Sequence, residues 1–317
     1  MSNTTASLRR KIASAGDLQS VVRTMKALAA SSIGQYEQSV RALADYYRTV
    51  ELALGACFRA SGPALLSSEP NARPAHNAIG SVVFGSVVFG SDQGLVGQFN
   101  EVVADFAIET LAALPGKSEV WAVGERVHAR LVDAGVSLKN VFSVPNSVKT
   151  IGSLVGEILV ETETRPSAVV PLELHLFYNR ATTASGSSSI YAPVTQRLLP
   201  LDEGWRRELV EVPWPTARLP EVLGGDTATL RALIREYLFI SLFRACAESL
   251  ASENASRLSA MQRADKNIDD LLEELNGSFR RLRQSSIDEE LFDVISGVEA
   301  LSKGSALTTE TRRGGTS

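Results

Sequence analysis

The stretch SVVFGSVVFGSDQGLVGQFN, residues 81–100, sets a doubled run of Val and Phe against a turn holding Gly94 and Gly97. An amphipathic segment, FNEVVADFAIETLAAL, follows at once. A β-branched and aromatic run, a glycine turn and a helical period together predict a strand, a bend and a helix. The repeat SVVFG is five residues long, an odd number. In one continuous strand Val82 and Phe84 would therefore face one way, and Val87 and Phe89 the other. Only a strand buried on both faces, or one broken at Gly85, accepts this pattern. The expectation is that the second copy is the regular strand and the first an added or bulged lead-in.

Outward from this unit the alternation continues. EVWAVG and NVFSV read as strands, ERVHARLVDAG and VKTIGSLVGEILVETE as helices, and AVVPLELHLFYNR with SSSIYAPVTQRLLPL as two longer strands. Strands separated by helices predict a small Rossmann-like α/β domain at 78–212, with a partly parallel, mixed sheet that ends in a hairpin. Breaker-rich linkers flank it. One, at 62–77, carries Pro63, Pro70 and Pro74; the other carries Pro213, Pro215 and Pro220.

Both chain ends are helical in period. Leu8, Ile12, Ala15, Leu18, Val22, Met25, Ala29, Ile33 and Tyr36 step by threes and fours, and the pattern continues to Phe58. The mean step is close to 3.5, the period of a coiled-coil seam. A second such seam runs through Asn254, Leu258, Met261, Asp265, Ile268, Leu272, Leu275, Phe279, Leu282 and Ser286. Beyond it Ile287, Leu291, Val294, Ile295, Val298 and Leu301 carry an apolar stripe onward. The division expected is an N-terminal coiled-coil helix at 1–61, the α/β domain, a C-terminal coiled-coil helix at 226–301 capped by Asp226, and a polar disordered tail at 302–317. A compact domain between two heptad-bearing ends predicts a long antiparallel coiled coil. Ala15, Ala29, Asn254, Asp265 and Ser286 make its seam poor, which is the property of a rod that other proteins enclose.

The chain has 317 residues and a net charge of -4, from 32 basic and 36 acidic residues spread along its length. No general basic field for nucleic acid exists. Cys57 and Cys246 read as free buried thiols, and no secretory leader or bilayer-spanning stretch is visible. PGKSE at 115–119 imitates the end of a phosphate-binding loop, but Leu111 stands where that loop needs a glycine. Gly90, Gly94 and Gly97 do not have dinucleotide-binding spacing. His76, His128 and His175 are too scattered for a metal, and His128 and His175 read as structural. No nucleophile with an attendant base emerges, so neither a cofactor nor a catalytic residue is assigned. From the residues alone three readings stay open: a shaft enclosed by partners, a nucleotide-binding α/β enzyme with helical arms, and a coiled-coil scaffold.

Four blocks resemble the gamma subunits of F-type rotary ATP synthases. Met25-Lys26-Ala27-Leu28-Ala29-Ala30-Ser31 is similar to that family's N-terminal signature, and Ser91-Asp92-Gln93-Gly94-Leu95-Val96-Gly97 with Asn100 to its Ser-Asp-Arg-Gly-Leu-Cys-Gly loop. Ser252-Glu253-Asn254-Ala255-Ser256-Arg257 through Met261, with Asn267 beyond, resembles the Ser-Glu-x-x-x-Arg-Met-x-Ala-Met block. Arg283-Gln284-Ser285-Ser286-Ile287, with Glu290-Leu291, resembles the last. Gln93, Val96, Gln98, Asp288 and Asp293 depart from the family pattern, which suggests a divergent or alternative bacterial type. The resemblance implies a non-catalytic central-stalk rotor that passes torque between a membrane rotor ring and a catalytic ring in ion-coupled ATP synthesis or hydrolysis. Its implied partners are alpha, beta and epsilon subunits and the c-ring, at the cytoplasmic face of a bacterial inner membrane. It further implies rotor–stator contacts at Arg283 and Gln284, with Met25 and Lys26 on the facing helix.

Overall fold

In the computed structural model, which describes residues 4–60, 83–114, 117–163, 172–182, 190–216, 218, 220 and 226–311, Val83–Phe89 forms a single strand, β1. The breaker stretch at 62–77 with His76, the turn at 115–116 and the tail after Thr311 lie outside the described residues. The strand keeps unbroken register through Gly85 against both neighbours. The bulged lead-in is therefore corrected: the described part of the first copy, Val83–Gly85, belongs to the strand. Burial on both faces accommodates the odd repeat. Val87 and Phe89 join one hydrophobic cluster and Val88 the other, while Phe84 packs beside His175.

The elements follow in the order α1 (Thr5–Ala60), β1, α2 (Phe99–Ala112), β2 (Lys117–Val123), α3 (Glu125–Asp133), β3 (Leu138–Phe142), α4 (Val148–Glu163), β4 (Leu172–Ala181), β5 (Tyr191–Leu199), α5 (Glu203–Glu211) and α6 (Asp226–Thr311). The sheet order is β3-β2-β1-β4-β5. Its first four strands are parallel and β5 closes it antiparallel to β4, the mixed α/β sheet expected. β1 is central, which is why its sequence is apolar on both faces. Val103, Ala104 and Ala107 of α2 and Val127 and Leu131 of α3 cover one face. Ile151, Val155 and Ile158 of α4, with Leu54 and Phe58 of α1 and Ile240 and Leu242 of α6, share the core on the other.

The chain divides into two compact units, Met1–Met25 with Met261–Ser317, and Lys26–Ala260. In the first, α1 and α6 run antiparallel: the Arg9 guanidinium lies 5.6 Å from the centre of the Phe279 ring, and Arg23 meets Asp265 at 3.2 Å. The seam carries Leu8, Ala15 and Val22 as read. It takes Gln19 and not Leu18, however: Leu18 is 54% exposed, while buried Gln19 donates its amide N–H groups across the pair to Asp265 and Asp269. A polar residue with two acceptors opposite is satisfied at a seam, and such residues fix helix register.

In the second unit the same two helices pack on the sheet, with Tyr47 beside Tyr237 at 6.1 Å between ring centres. Helix α5 falls where the sequence suggested only the approach to a linker. Its N-cap is Asp202, whose carboxylate accepts from the Trp205 N–H at 2.9 Å. The Trp205 ring then lies against Tyr237, with ring centres 4.7 Å apart and the planes tilted by 36°. Helix α6 starts at Asp226 and continues to Thr311, past the boundary expected at 301.

Candidate functional site

The turn after β1 is built from the strand outward. Ser91 is fully buried; its N–H donates to Asn100 Oδ1 at 2.9 Å, and Asn100 returns a hydrogen bond to Ser91 Oγ at 2.9 Å. The Asp92 carboxylate then spans two neighbouring connections. It accepts from the Glu125 N–H at 3.0 Å, at the start of α3, and from the Val144 N–H at 2.9 Å, beyond β3. The loop thus brings its own carboxylate to the positive end of a helix. Gly97 adopts φ 60 and lets the chain bend into α2, and Ser256 of α6 donates to the Val96 carbonyl at 2.6 Å. Asn179 of β4 donates to the Phe99 carbonyl at 2.8 Å.

Two sequence blocks far apart in the chain, Ser91–Asn100 and Ser252–Met261, therefore meet. Asp92→Asn is expected to cost about 2 kcal/mol, because the amide keeps one acceptor and turns an NH₂ toward a backbone N–H. Urea denaturation of the purified chain measures this, and an unchanged midpoint would contradict the role given to the carboxylate.

Beside that junction Arg257 donates to Glu253 one turn back and, at 3.4 Å, to Asn254 Oδ1. Glu253 is buried. Burial holds its carboxyl above the usual carboxylate range, Arg257 opposes the shift, and the charge of Asp92 adds to it. Tyr36 of α1 is also buried, and its phenol is raised by burial and by Glu253. In the sequence Glu253 stands inside the Ser252–Met261 block with no role assigned, and its spacing of four from Arg257 is the signal that pairs them.

The remaining site residues fall elsewhere. Met261 is buried in the helix seam, while Asn267 and Glu290 are exposed on α6. Met25 is half-buried on α1, as is Lys26. Arg283 and Gln284 are exposed, just past Leu282, the last half-buried seam residue among the described side chains. The structure does not bring Met25 and Arg283 together. Arg23 sits at the level of Asp265, about 18 residues and roughly 27 Å of helix from Arg283. After Leu282 the apolar stripe stands in the open, with Leu291 58% and Phe292 69% exposed.

In each unit α1 and α6 pair antiparallel, and in the second they pack on a mixed α/β sheet whose glycine loop is closed on itself by hydrogen bonds. Residues 4–301 match the ATP synthase family. The ATP synthase gamma chain of Clavibacter michiganensis subsp. michiganensis is 31% identical, over 92% of this chain and 96% of its own. That of Moorella thermoacetica is 26% identical over 93% and 98%. Among solved structures, a chain of the Euglena gracilis mitochondrial ATP synthase (OSCP/F1/c-ring, rotational state 3) superposes with a TM-score of 0.63 at 17% identity, covering 95% of each chain. The chain belongs to the ATP synthase gamma-chain family.

Proposed function

We propose that this chain is the central-stalk rotor subunit of an F-type ATP synthase or ATPase, turning inside a ring of alpha and beta subunits and carrying torque to or from a membrane c-ring, with an epsilon subunit alongside. The catalytic sites then belong to the beta subunits, and this chain transmits without catalysing. The observation that carries the reading is the end of α6. Its seam is covered by α1 as far as Leu282, and Ile287, Leu291, Val294, Ile295 and Val298 then form a single exposed apolar face. A helix end of that composition is suited to enclosure by other subunits. Among the described residues no helix is long and apolar enough to cross a membrane. Association with the cytoplasmic face of a bacterial inner membrane would then come through the complex. Within the chain we assign the shaft to 1–61 and 226–301 and the head to 78–212.

Arg283 and Gln284 head the exposed stretch and are the proposed contacts to a beta-subunit loop, with Met25 and Lys26 forming a separate level of contact. Exposed polar contacts are worth roughly 0–1 kcal/mol each, which suits a surface that must exchange partners as it turns. Arg283→Ala combined with Gln284→Ala is expected to lower ATP-driven ion pumping about fivefold relative to ATP hydrolysis, leaving the melting of the isolated chain unchanged. Full coupling in the reconstituted complex would refute the assignment. Co-purification with alpha and beta subunits tests the whole reading. ATP binding by the chain alone would favour the enzyme alternative, and a stable homodimer with no affinity for those subunits would favour the scaffold.

A further inference from the structure

Where the glycine loop, α1 and α6 meet there is a cavity of about 200 Å³, lined by Tyr36, Asp92, Asn146, Glu253, Asn254 and Arg257 among others. Its chemistry is unbalanced. Two carboxylates face one guanidinium, and the guanidinium is held in bonds to Glu253 Oε1 and Asn254 Oδ1. Glu253 Oε2 is buried and has no hydrogen-bond partner among the described residues. The Asp92 oxygens each accept one backbone N–H, which leaves each a further lone pair. Asn146 is exposed at the rim, with an amide that can accept, and Ser32 lies at the α1 side.

A buried carboxylate oxygen costs free energy unless a donor reaches it, and a surplus of negative charge selects a donor that is also a cation. We infer that this cavity is a binding site for the head group of a small guanidinium or alkylammonium ligand, which donates N–H to Glu253 Oε2 and to the Asp92 and Asn146 oxygens. The groups facing Glu253 are Arg257 and Cys246 on its own helix, Tyr36 on α1 and Asp92 on the loop. Of these only Arg257 is cationic; its terminal nitrogens are taken by Asn254 Oδ1 and Glu253 Oε1, and its Nε is buried with no hydrogen-bond partner among the described residues, so it brings no further charge to Glu253 Oε2 or Asp92. The site lies wholly within residues 26–260 and does not depend on the rotor reading.

The test is calorimetric titration of the full chain with methylguanidinium chloride against a sodium chloride blank at equal ionic strength. The expected result is saturable one-site binding in the millimolar range, weakened at least about tenfold by Glu253→Gln, which removes the charge and half the acceptor capacity. Ser32→Leu provides a second variant, filling the mouth from a partly exposed helical position without touching a carboxylate, and is also expected to abolish binding. Absence of saturable heat with the native chain, or undiminished binding to both variants, overturns the proposal. Repeating the titration on the assembled complex separates two sources of such a head group. A free ligand binds there as well, whereas a basic side chain of a neighbouring subunit seated in the cavity blocks the probe.

Discussion

Gly124→Ala is expected to destabilise the chain by at least about 3 kcal/mol. Two independent penalties coincide there. Gly124 has φ 113, a conformation that residues with a Cβ rarely adopt. A Cβ at that position would also lie 2.8 Å from the N, C and O atoms of Ser91. Those are backbone atoms, so no side chain can swing aside. The Ser91 backbone is itself held at both ends: its N–H donates to Asn100 and its carbonyl accepts from the Arg126 N–H at 2.9 Å. Moving it would pull Asp92 away from the two N–H groups it joins.

Comparison with two other glycines separates the terms. Gly135 also has a positive φ, 79, but nothing lies within 4 Å of its would-be Cβ, so Gly135→Ala should show the conformational cost alone, about 1 kcal/mol. Gly156, inside α4 with equal free space, should be stabilised by about 0.5–1 kcal/mol on change to Ala. Urea titration of the three variants should give that order, and a Gly124→Ala chain as stable as Gly135→Ala would show that Ser91 can yield after all.

The same junction shows what a sequence does and does not disclose. Val87, Phe89 and the glycine turn announced a strand and a bend, because apolar pattern and breaker chemistry are local. The two-sided burial of the SVVFG repeat was one of the two solutions its odd length allowed. Choosing between them required knowing that β1 lies between β2 and β4, a fact of topology. The helix seam was legible in its period but not in its letters. Leu18 was the apolar choice and Gln19 the occupant, since two aspartates about 246 and 250 positions away supply its partners. Helix α5 was hidden by neighbouring prolines and betrayed only by Asp202 at its cap. The cavity could not be read at all: Tyr36, Asp92 and Glu253 are separated along the chain by long segments, and only the antiparallel register of α1 and α6 makes them neighbours.

The end of α6 supports the second large expectation: Leu291→Asp combined with Ile295→Asp should weaken assembly with the alpha and beta subunits at least about a hundredfold, while leaving the isolated chain folded. The two positions are four residues apart and share a helix face with Ile287, Val294 and Val298. Ile295 is 52% exposed and Leu291 more so, and the substitutions remove no contact that the isolated chain depends on. Inside an enclosing ring the accounting reverses. Fully burying a side chain of this size is worth about 1.5–3 kcal/mol, and forcing an unpaired carboxylate into the same place costs more than the lost burial. Each tenfold in affinity corresponds to about 1.4 kcal/mol, so even the lower figure, taken twice, exceeds a hundredfold. Leu291→Ala with Ile295→Ala should fall between, keeping the helix but giving up most of the apolar area. Sedimentation of the reconstituted complex, with circular dichroism of the free chain as the control for folding, measures both halves of the expectation. Undisturbed assembly of the double aspartate variant would mean that this face is not enclosed, and the proposed placement of the shaft would fall with it.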